Sequence, residues 1–209
     1  MGEPALTVYV VDDDPDLLRA IERLLQSVGL RVATFPSAQL FLEQFDRNAP
    51  GCLVLDLALP GLSGLELQRV LEQHASRLPI VFLTGRGDIA HSVQAMKHGA
   101  ADFLTKPVDD TALIAAIHEA LAKDQAQRSA HLEQERVAKC LATLTERERQ
   151  VLELIVAGRL NKQIAAELGT VEKTIKVHRA RVMEKLQVRS LAALVQLAGQ
   201  AGIVSRPET

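Results

Sequence analysis

The sequence predicts a doubly wound α/β domain with a five-stranded parallel sheet, followed by a small all-α domain. Short apolar runs alternate with amphipathic segments over residues 1–121, and strand signals are missing from residue 140 onward. Strands covered on both faces read as nearly continuous apolar runs, and strands separated by helices pair in parallel. A length of 209 residues also favours two domains over one.

Five apolar runs are predicted to be strands, at 8–11, 31–35, 52–57, 80–84 and 102–106. The helices between and after them are predicted at 15–28, 37–45, 63–74, 90–98 and 110–122. In the first of these helices the leucines recur at helical spacing, which indicates one buried face. Five strand–helix units in succession imply a sheet with helices on both sides.

The second half of the chain begins with a polar segment. Residues 122–139 contain good helix formers and neither Gly nor Pro, so we interpret them as a helical linker. We therefore predict one domain at 6–121 and a second at 140–204.

Four short helices are predicted in the second domain, within 145–157, 161–168, 172–187 and 190–202. Thr145 and Glu148 have the spacing of a capping box, and Asn161 is the predicted cap of the next helix. The helix–Gly–helix step within this set is typical of a compact helical domain.

The charge is distributed unevenly. Residues 1–121 hold 9 Lys and Arg against 16 Asp and Glu, a balance of −7, whereas residues 138–209 hold 12 against 7, a balance of +5. The basic end is therefore the better candidate for binding a polyanion. Only 3% of residues are aromatic and Trp is missing, so nothing indicates stacking on bases or sugars.

Two cysteines, Cys52 and Cys140, match no metal-binding spacing, and reduced thiols are the expected state. The N-terminal segment lacks the basic and apolar regions of a signal peptide, and no apolar run reaches the ~18 residues of a membrane span. We expect a soluble cytoplasmic protein without a membrane partner.

Polar side chains stand at or near the ends of four predicted strands. Asp12 and Asp13 follow the first, Asp56 lies near the end of the third, Thr84 ends the fourth and Lys106 ends the fifth. Functional groups of parallel sheets gather beyond the carboxyl ends of the strands, so these five side chains are expected to converge.

Three crowded carboxylates raise one another's pKa unless a cation lies among them. Oxygen ligands with few protein contacts suit Mg²⁺, which keeps several waters and binds phosphoryl oxygens. A hydroxyl and an ammonium from neighbouring strands are suitable partners for a phosphoryl group on Asp56. Each residue alone has an ordinary structural explanation, such as helix capping by Asp12 to Asp14. Their occurrence as a set favours the functional interpretation.

The motifs "VVDDDP", "LVLDLALPGLSG", "VFLTG" and "DFLTKP" resemble those of the receiver domain of bacterial two-component response regulators, a flavodoxin-like fold. The resemblance covers about residues 6–121 and implies that Asp56 accepts a phosphoryl group from a sensor histidine kinase. It further implies that Asp13, Asp56 and the backbone carbonyl of Ala58 ligate Mg²⁺ directly, and that Asp12 acts through water.

The same resemblance assigns three further roles. Lys106 would bind the phosphoryl oxygens, while Thr84 and Phe103 would form a switch pair in which the ring follows the hydroxyl inward. Two alternatives stay open. A magnesium-dependent aspartyl phosphatase would need an acid two residues after Asp56, where this chain has Ala58. A receiver that works without phosphorylation is the other alternative.

The predicted helix at 172–187 has two distinct faces. Its predicted core stripe contains Val171, Ile175, Val182 and Leu186. The opposite face is made of Lys173, Val177, Ala180 and Glu184, with Lys176 on one shoulder and Thr174 and Arg181 on the other. A partly apolar helix face that is flanked by cationic side chains suits the major groove of DNA. For this helix alone, a solvated charged surface is the alternative.

Residues 144–195 resemble the LuxR-type helix-turn-helix domain, and its pairing with a receiver resembles the FixJ/NarL class. That resemblance makes 172–187 the recognition helix. Base-edge contacts are then expected from Lys173, Lys176, Val177 and Ala180, and phosphate contacts from Thr174, Arg181, Lys185, Asn161 and Lys162. Val171 stands where relatives commonly have a Ser cap, so Thr170 is an alternative cap.

The two resemblances together imply a transcription regulator rather than an enzyme. Phosphorylation would promote a homodimer through the surface around 90–98 and the fifth strand, and the dimer would bind a two-fold site in promoter DNA. RNA polymerase is the further partner that such a regulator implies.

Overall fold

The computed structural model describes residues 6–46, 48–85 and 97–203. Within those ranges the strands are β1 Thr7–Val11, β2 Arg31–Phe35, β3 Gly51–Asp56, β4 Ile80–Thr84 and β5 Asp102–Thr105. The helices are α1 Pro15–Ser27, α2 Ala38–Gln44, α3 Gly64–Gln73, α4 Asp110–Ala142, α5 Glu146–Val156, α6 Asn161–Glu167, α7 Glu172–Lys185 and α8 Leu191–Gln200. Residues 90–96 of the predicted helix 90–98, which belongs to the expected dimer surface, lie outside the described residues.

The strands form one parallel sheet in the order β2-β1-β3-β4-β5. The order reverses direction between β1 and β3, as in doubly wound sheets, where ligands bind at this switch point. The predicted fold class is therefore confirmed. The central strand β3 is buried along its whole length, in agreement with its apolar sequence.

Alternate residues of the strands supply two separate cores. Leu53, Leu55 and Phe82 belong to the core that includes side chains of α2 and α3. Cys52, Val54 and their neighbours face the other way and join the core that includes α1 and the first part of α4. The two-residue period of a strand thus covers both faces of the sheet with helices.

Helix α4 extends much further than the predicted helix 110–122 and includes the whole polar segment 122–139. The chain divides into two compact units, Met1–Arg128 and Ser129–Thr209. In the second unit, helices α5 to α8 surround an apolar core that includes Leu152, Ile164 and Val182.

Two details of the second unit differ from the sequence predictions. Val171 was predicted to lie on the core face of α7, but the residue is 65% exposed, because it precedes the helix as its N-cap rather than lying within it. Asn161 was predicted to cap α6, but Leu160 has that position. Leu160 has no side chain that can accept a hydrogen bond, but its own backbone N–H donates to Oε1 of Gln163 at 2.8 Å.

The described helices include none that combines the length and apolar character of a membrane span. Both cysteines are free thiols. Burial of Cys52 in β3, with the charge of Asp124 nearby, raises the pKa of its thiol to about 12. This thiol therefore stays protonated and unreactive at neutral pH.

Replacement of Gly51 by Ala tests how tightly β3 is held at its first residue. Gly51 has φ +153°, and an added Cβ would lie 1.9 Å from the backbone oxygen of Thr7. We expect Gly51→Ala to lower the free energy of unfolding by about 3 kcal/mol or more in urea titrations followed by circular dichroism. Gly29→Ala is the control, because Gly29 has φ +81° but open space around it. Equal losses in the two variants would show that the predicted clash does not occur.

Candidate functional site

Three carboxylates meet at the carboxyl edge of the sheet. Asp12 and Asp13 directly follow β1, and Asp56 is the last residue of β3, which pairs with β1. One oxygen from each of the three groups lies within 4.8 Å of the others. Asp12 and Asp56 are buried, whereas Asp13 is exposed. The parallel pairing of β1 and β3 therefore brings together residues that are 43 positions apart or more.

Lys106 connects the buried carboxylates. Its ammonium lies 2.6 Å from Oδ2 of Asp12 and 3.1 Å from Oδ2 of Asp56. The residue directly follows β5 and precedes a cis peptide bond to Pro107, and its backbone N–H donates to the carbonyl of Thr84 at 2.6 Å. The predicted convergence of Asp12, Asp13, Asp56 and Lys106 is thus what the geometry shows.

The pKa values of Asp12 and Lys106 are both raised. Burial raises the pKa of Asp12, and its hydrogen bonds from Lys106 and the Asp14 backbone only partly oppose this effect. Burial alone would lower the pKa of Lys106, but the hydrogen bond and negative charge of Asp12, with those of Asp56, outweigh it. One ammonium thus compensates only part of the negative charge in the pocket, which favours the entry of a further cation.

The donor atoms of this pocket fit a hard divalent cation. All three side chains offer carboxylate oxygens, and exposed Asp13 leaves the pocket open to water. Such a set suits Mg²⁺, which prefers oxygen ligands and retains part of its hydration shell. The pocket is therefore of an acidic type typical of Mg²⁺ binding.

The backbone after β3 holds Asp56 in place. The N–H of Ala58 donates to Oδ1 of Asp56 at 3.3 Å, and position 58 carries no acidic group. A Cβ on Gly64 would lie 2.4 Å from the backbone oxygen of Asp56, so α3 begins in direct contact with the site. No role was predicted for Gly64 from the sequence, although this residue follows Ser63, the first residue of a capping box with Glu66.

The two predicted switch residues lie on the neighbouring strands. Thr84 is buried at the end of β4, one residue beyond the partner of Asp56 in the β3–β4 register, and its hydroxyl donates to the Gly85 carbonyl. Phe103 on β5 is half-buried, and its ring centroid lies 6.4 Å from that of Phe82. The ring thus has contacts with the core and also access to solvent.

The surface of α7 has the predicted distribution of side chains. Ile175 and Val182 are buried in the helical core, whereas Lys173, Lys176, Val177, Ala180 and Arg181 are exposed. Lys176 forms a 3.1 Å ion pair with Glu172 on its own helix, and both side chains are largely exposed. Such a surface pair is weak, so the ammonium can exchange Glu172 for another anion at low cost.

The expected phosphate contacts at the starts of α6 and α7 differ in their exposure to solvent. Lys162 is exposed, whereas Asn161 is half-buried and its Oδ1 accepts a hydrogen bond from Arg179 of α7 at 3.4 Å. Thr174 is half-buried at the start of α7.

Lys185 interacts within its own domain. Its ammonium donates to Oε2 of Glu148 at 2.6 Å and to the carbonyl of Thr143 at 2.9 Å. The Glu148 side chain is only 3% exposed and also accepts from the backbone N–H of Thr145. These bonds connect the end of α7 to the start of α5. The ion pair could not be read from the sequence because its partners are 37 residues apart.

Comparison with known families identifies both units. The family described as "Response regulator receiver domain" matches residues 8–118, and the family described as "Bacterial regulatory proteins, luxR family" matches residues 142–198. The acidic site therefore lies in a receiver domain, and α5 to α8 form a LuxR-type DNA-binding domain. The chain belongs to the DNA-binding two-component response regulators of the FixJ type, a family of transcription regulators rather than of conventional enzymes.

Relatives and solved structures agree with this assignment. The chain is 42% identical to the response regulator protein TodT of Pseudomonas putida, over 94% of this chain and 87% of TodT. It is 43% identical to the transcriptional regulatory protein FixJ of Azorhizobium caulinodans, over 95% of this chain and 94% of that protein. The structure of response regulator StyR is similar with a TM-score of 0.87 and 47% identity, over 94% of this chain and 99% of StyR. Full-length FixJ from B. japonicum has a TM-score of 0.60 and 40% identity, over 97% and 100% of the two chains.

The Glu148–Lys185 pair predicts an acid-sensitive stability of the DNA-binding domain. The hydrogen bond from Lys185, followed by that from the Thr145 backbone, lowers the pKa of Glu148 from the ordinary 4.5 to about 2. A carboxyl group whose pKa is lower in the folded than in the unfolded chain stabilises the fold at pH values above its unfolded-state pKa. This contribution to the free energy of unfolding is lost as the pH falls from about 4.5 towards 2.

We therefore expect Glu148→Gln to reduce the free energy of unfolding near neutral pH by about 1–3 kcal/mol. Urea titrations of the full chain at a series of pH values measure the difference from the wild type, which should shrink as the solution is acidified. A difference that is independent of pH would contradict the ionic contribution of this pair.

Proposed function

We propose that the chain is a phosphorylation-activated transcription regulator in which Asp56 accepts a phosphoryl group from the histidine of a sensor kinase. The observation that supports this most strongly is the position of Asp56, buried at the edge of the sheet beside two further carboxylates and within 3.1 Å of the Lys106 ammonium. A carboxylate nucleophile next to a fixed positive charge suits phosphoryl transfer.

The transfer requires no further reactant. A carboxylate oxygen of Asp56 attacks the phosphorus of phosphohistidine, an O–P bond forms, the N–P bond breaks and the imidazole leaves. A small donor such as acetyl phosphate would react in the same way with loss of acetate. Lys106, which already interacts with the Asp56 carboxylate, would bind an oxygen of the transferred group.

Mg²⁺ is the proposed cofactor, because the pocket offers only oxygen ligands. Asp13, Asp56 and the carbonyl of Ala58 would hold the ion directly, and Asp12 through water. When bound, Mg²⁺ neutralises negative charge on the phosphoryl oxygens. Asp12 is buried and already bonded to Lys106, which agrees with its proposed indirect role.

Thr84 and Phe103 are the proposed switch pair. The Thr84 hydroxyl, now bonded to the Gly85 carbonyl, would turn to a phosphoryl oxygen on Asp56, and the half-exposed Phe103 ring would follow inward. The exposed surface of β5 would change with it. Phosphorylation would thereby shift the receiver population towards a state that forms a homodimer.

The proposed DNA-reading surface is the exposed face of α7. Lys173, Lys176, Val177 and Ala180 would contact base edges, and Thr174, Arg181, Asn161 and Lys162 would hold phosphates. Lys185 was expected among the phosphate contacts, but its bonds to Glu148 and Thr143 support a role in the fold instead. A homodimer would bind a two-fold promoter site in the cytoplasm and act on RNA polymerase.

Asp56→Asn tests the acceptor. The amide cannot act as the nucleophile, so labelling by radioactive acetyl phosphate in the presence of Mg²⁺ should be abolished, whereas Asp46→Asn should be labelled like the wild type. Asp46 is a matched control because it is an exposed aspartate of the same unit. Stoichiometric labelling of Asp56→Asn would refute the assignment of the acceptor.

Lys176→Ala tests the recognition helix. With a duplex selected by the protein from a random pool, we expect specific affinity to fall by ~1–3 kcal/mol while binding to an unrelated duplex changes less. Arg181→Ala is the comparison, because loss of a phosphate contact should weaken both duplexes alike and reduce the salt slope by about 1. Equal losses on both duplexes for Lys176→Ala would make Lys176 a phosphate contact instead.

A further inference from the structure

Helix α4 carries a completely buried carboxylate just beyond the end of its apolar face. The buried residues of that face are Leu113, Ala116, Ile117, Ala120 and Leu121. Asp124 follows one turn later on the same side of the helix and is 0% exposed. Burying a carboxylate destabilises the fold unless the group is paired and hydrogen-bonded. The partners of Asp124 therefore indicate its role.

Asp124 is fully paired by Arg128 and by the start of β3. Nε of Arg128 lies 2.9 and 2.7 Å from the two carboxylate oxygens, and the backbone N–H of Gly51 donates to Oδ2 at 3.0 Å. The other two nitrogens of Arg128 donate to the carbonyls of Asn48 and Ala49, each at 2.7 Å. We call Asp124 and Arg128 the clamp.

The clamp attaches α4 to the strand that carries the phosphoryl acceptor. β3 begins at Gly51 and ends at Asp56. The backbone of Thr7 leaves no room for a side chain at position 51. All six residues of the strand are buried between β1 and β4. One side of the clamp is therefore fixed to a rigid strand with the acidic pocket at its far end.

The clamp is also the last firm attachment of α4 to the receiver unit. Every residue from 125 to 136 is described and is either half-buried or exposed, and the first compact unit ends at Arg128. A polar helical segment of this length is only marginally stable by itself. Apolar packing holds α4 as far as Leu121, so the clamp is what fixes the next two turns.

We propose that Asp124 and Arg128 are positioning residues that fix the linker helix to the receiver, and that phosphorylation at Asp56 changes DNA binding only when this attachment is intact. The proposal rests on the proposed function. A helix released after Leu121 would lose its defined direction, so the receiver could change state without biasing the second domain.

The experiment compares full-length Asp124→Asn and Arg128→Ala with the wild type and with Lys139→Ala. Lys139 is the matched control, because it forms an exposed 3.7 Å ion pair with Glu135 on the same helix. Three quantities are measured: labelling of Asp56 by acetyl phosphate with Mg²⁺, affinity for the selected duplex with and without acetyl phosphate, and hydrogen exchange of the amides of residues 122–136.

Both clamp variants should be labelled like the wild type and should bind DNA normally without the phosphodonor. Their amides at 122–136 should exchange about tenfold faster or more, and the gain in affinity on phosphorylation should fall at least about fivefold. Lys139→Ala should match the wild type in all three. If the clamp had only a structural role, hydrogen exchange at 122–136 would become faster while the gain in DNA affinity on phosphorylation stayed the same. That result would overturn the proposal. Unchanged hydrogen exchange in the variants would also overturn it.

If either variant fails to fold, Arg128→Lys provides the test. A lysine keeps the positive charge but cannot donate to the carboxylate and to both carbonyls at once. A partial loss of the gain is expected, and an undiminished gain would overturn the proposal. A wild type that is not labelled, or is labelled without any gain, would instead refute the proposed function, and the proposal with it.

Discussion

The Lys106 ammonium between the carboxylates of Asp12 and Asp56 is the interaction on which the rest of the receiver depends. It lies 2.6 and 3.1 Å from these groups and permits two buried carboxylates to share one pocket. Without that positive charge their repulsion and desolvation would oppose folding of the sheet edge. The pocket still contains one carboxylate more than this pair, and this remaining negative charge favours the binding of a cation.

The architecture that creates this pocket is largely contained in local sequence patterns. Four of the five apolar runs lead to a polar residue at or near the carboxyl end, and parallel pairing places those ends at one edge whatever the details of the loops. This is why Asp12, Asp13, Asp56 and Lys106 could be predicted to converge. Along β3, Leu53 and Leu55 face one core and Cys52 and Val54 face the other, because successive side chains of a strand point to opposite faces of the sheet.

What the sequence did not reveal depends on contacts between distant residues or on the exact start of a helix. Asp124 and Gly51 are 73 positions apart, and nothing in the polar composition of 122–139 indicates that one aspartate there is completely buried. The family resemblance made Lys185 an expected phosphate contact, but that resemblance does not show its partner Glu148, which lies on another helix. Val171 fitted the apolar stripe but lies outside the helix, so it is exposed.

The proposed role of the Asp56 pocket is to control DNA binding by the exposed face of α7. Its most direct test is the affinity of the wild-type chain for its selected duplex, titrated with and without acetyl phosphate and Mg²⁺ while the phosphorylated fraction is measured on the same samples. We expect the affinity for the duplex to rise with the phosphorylated fraction, by about tenfold or more at full phosphorylation. Complete phosphorylation with unchanged affinity would contradict it.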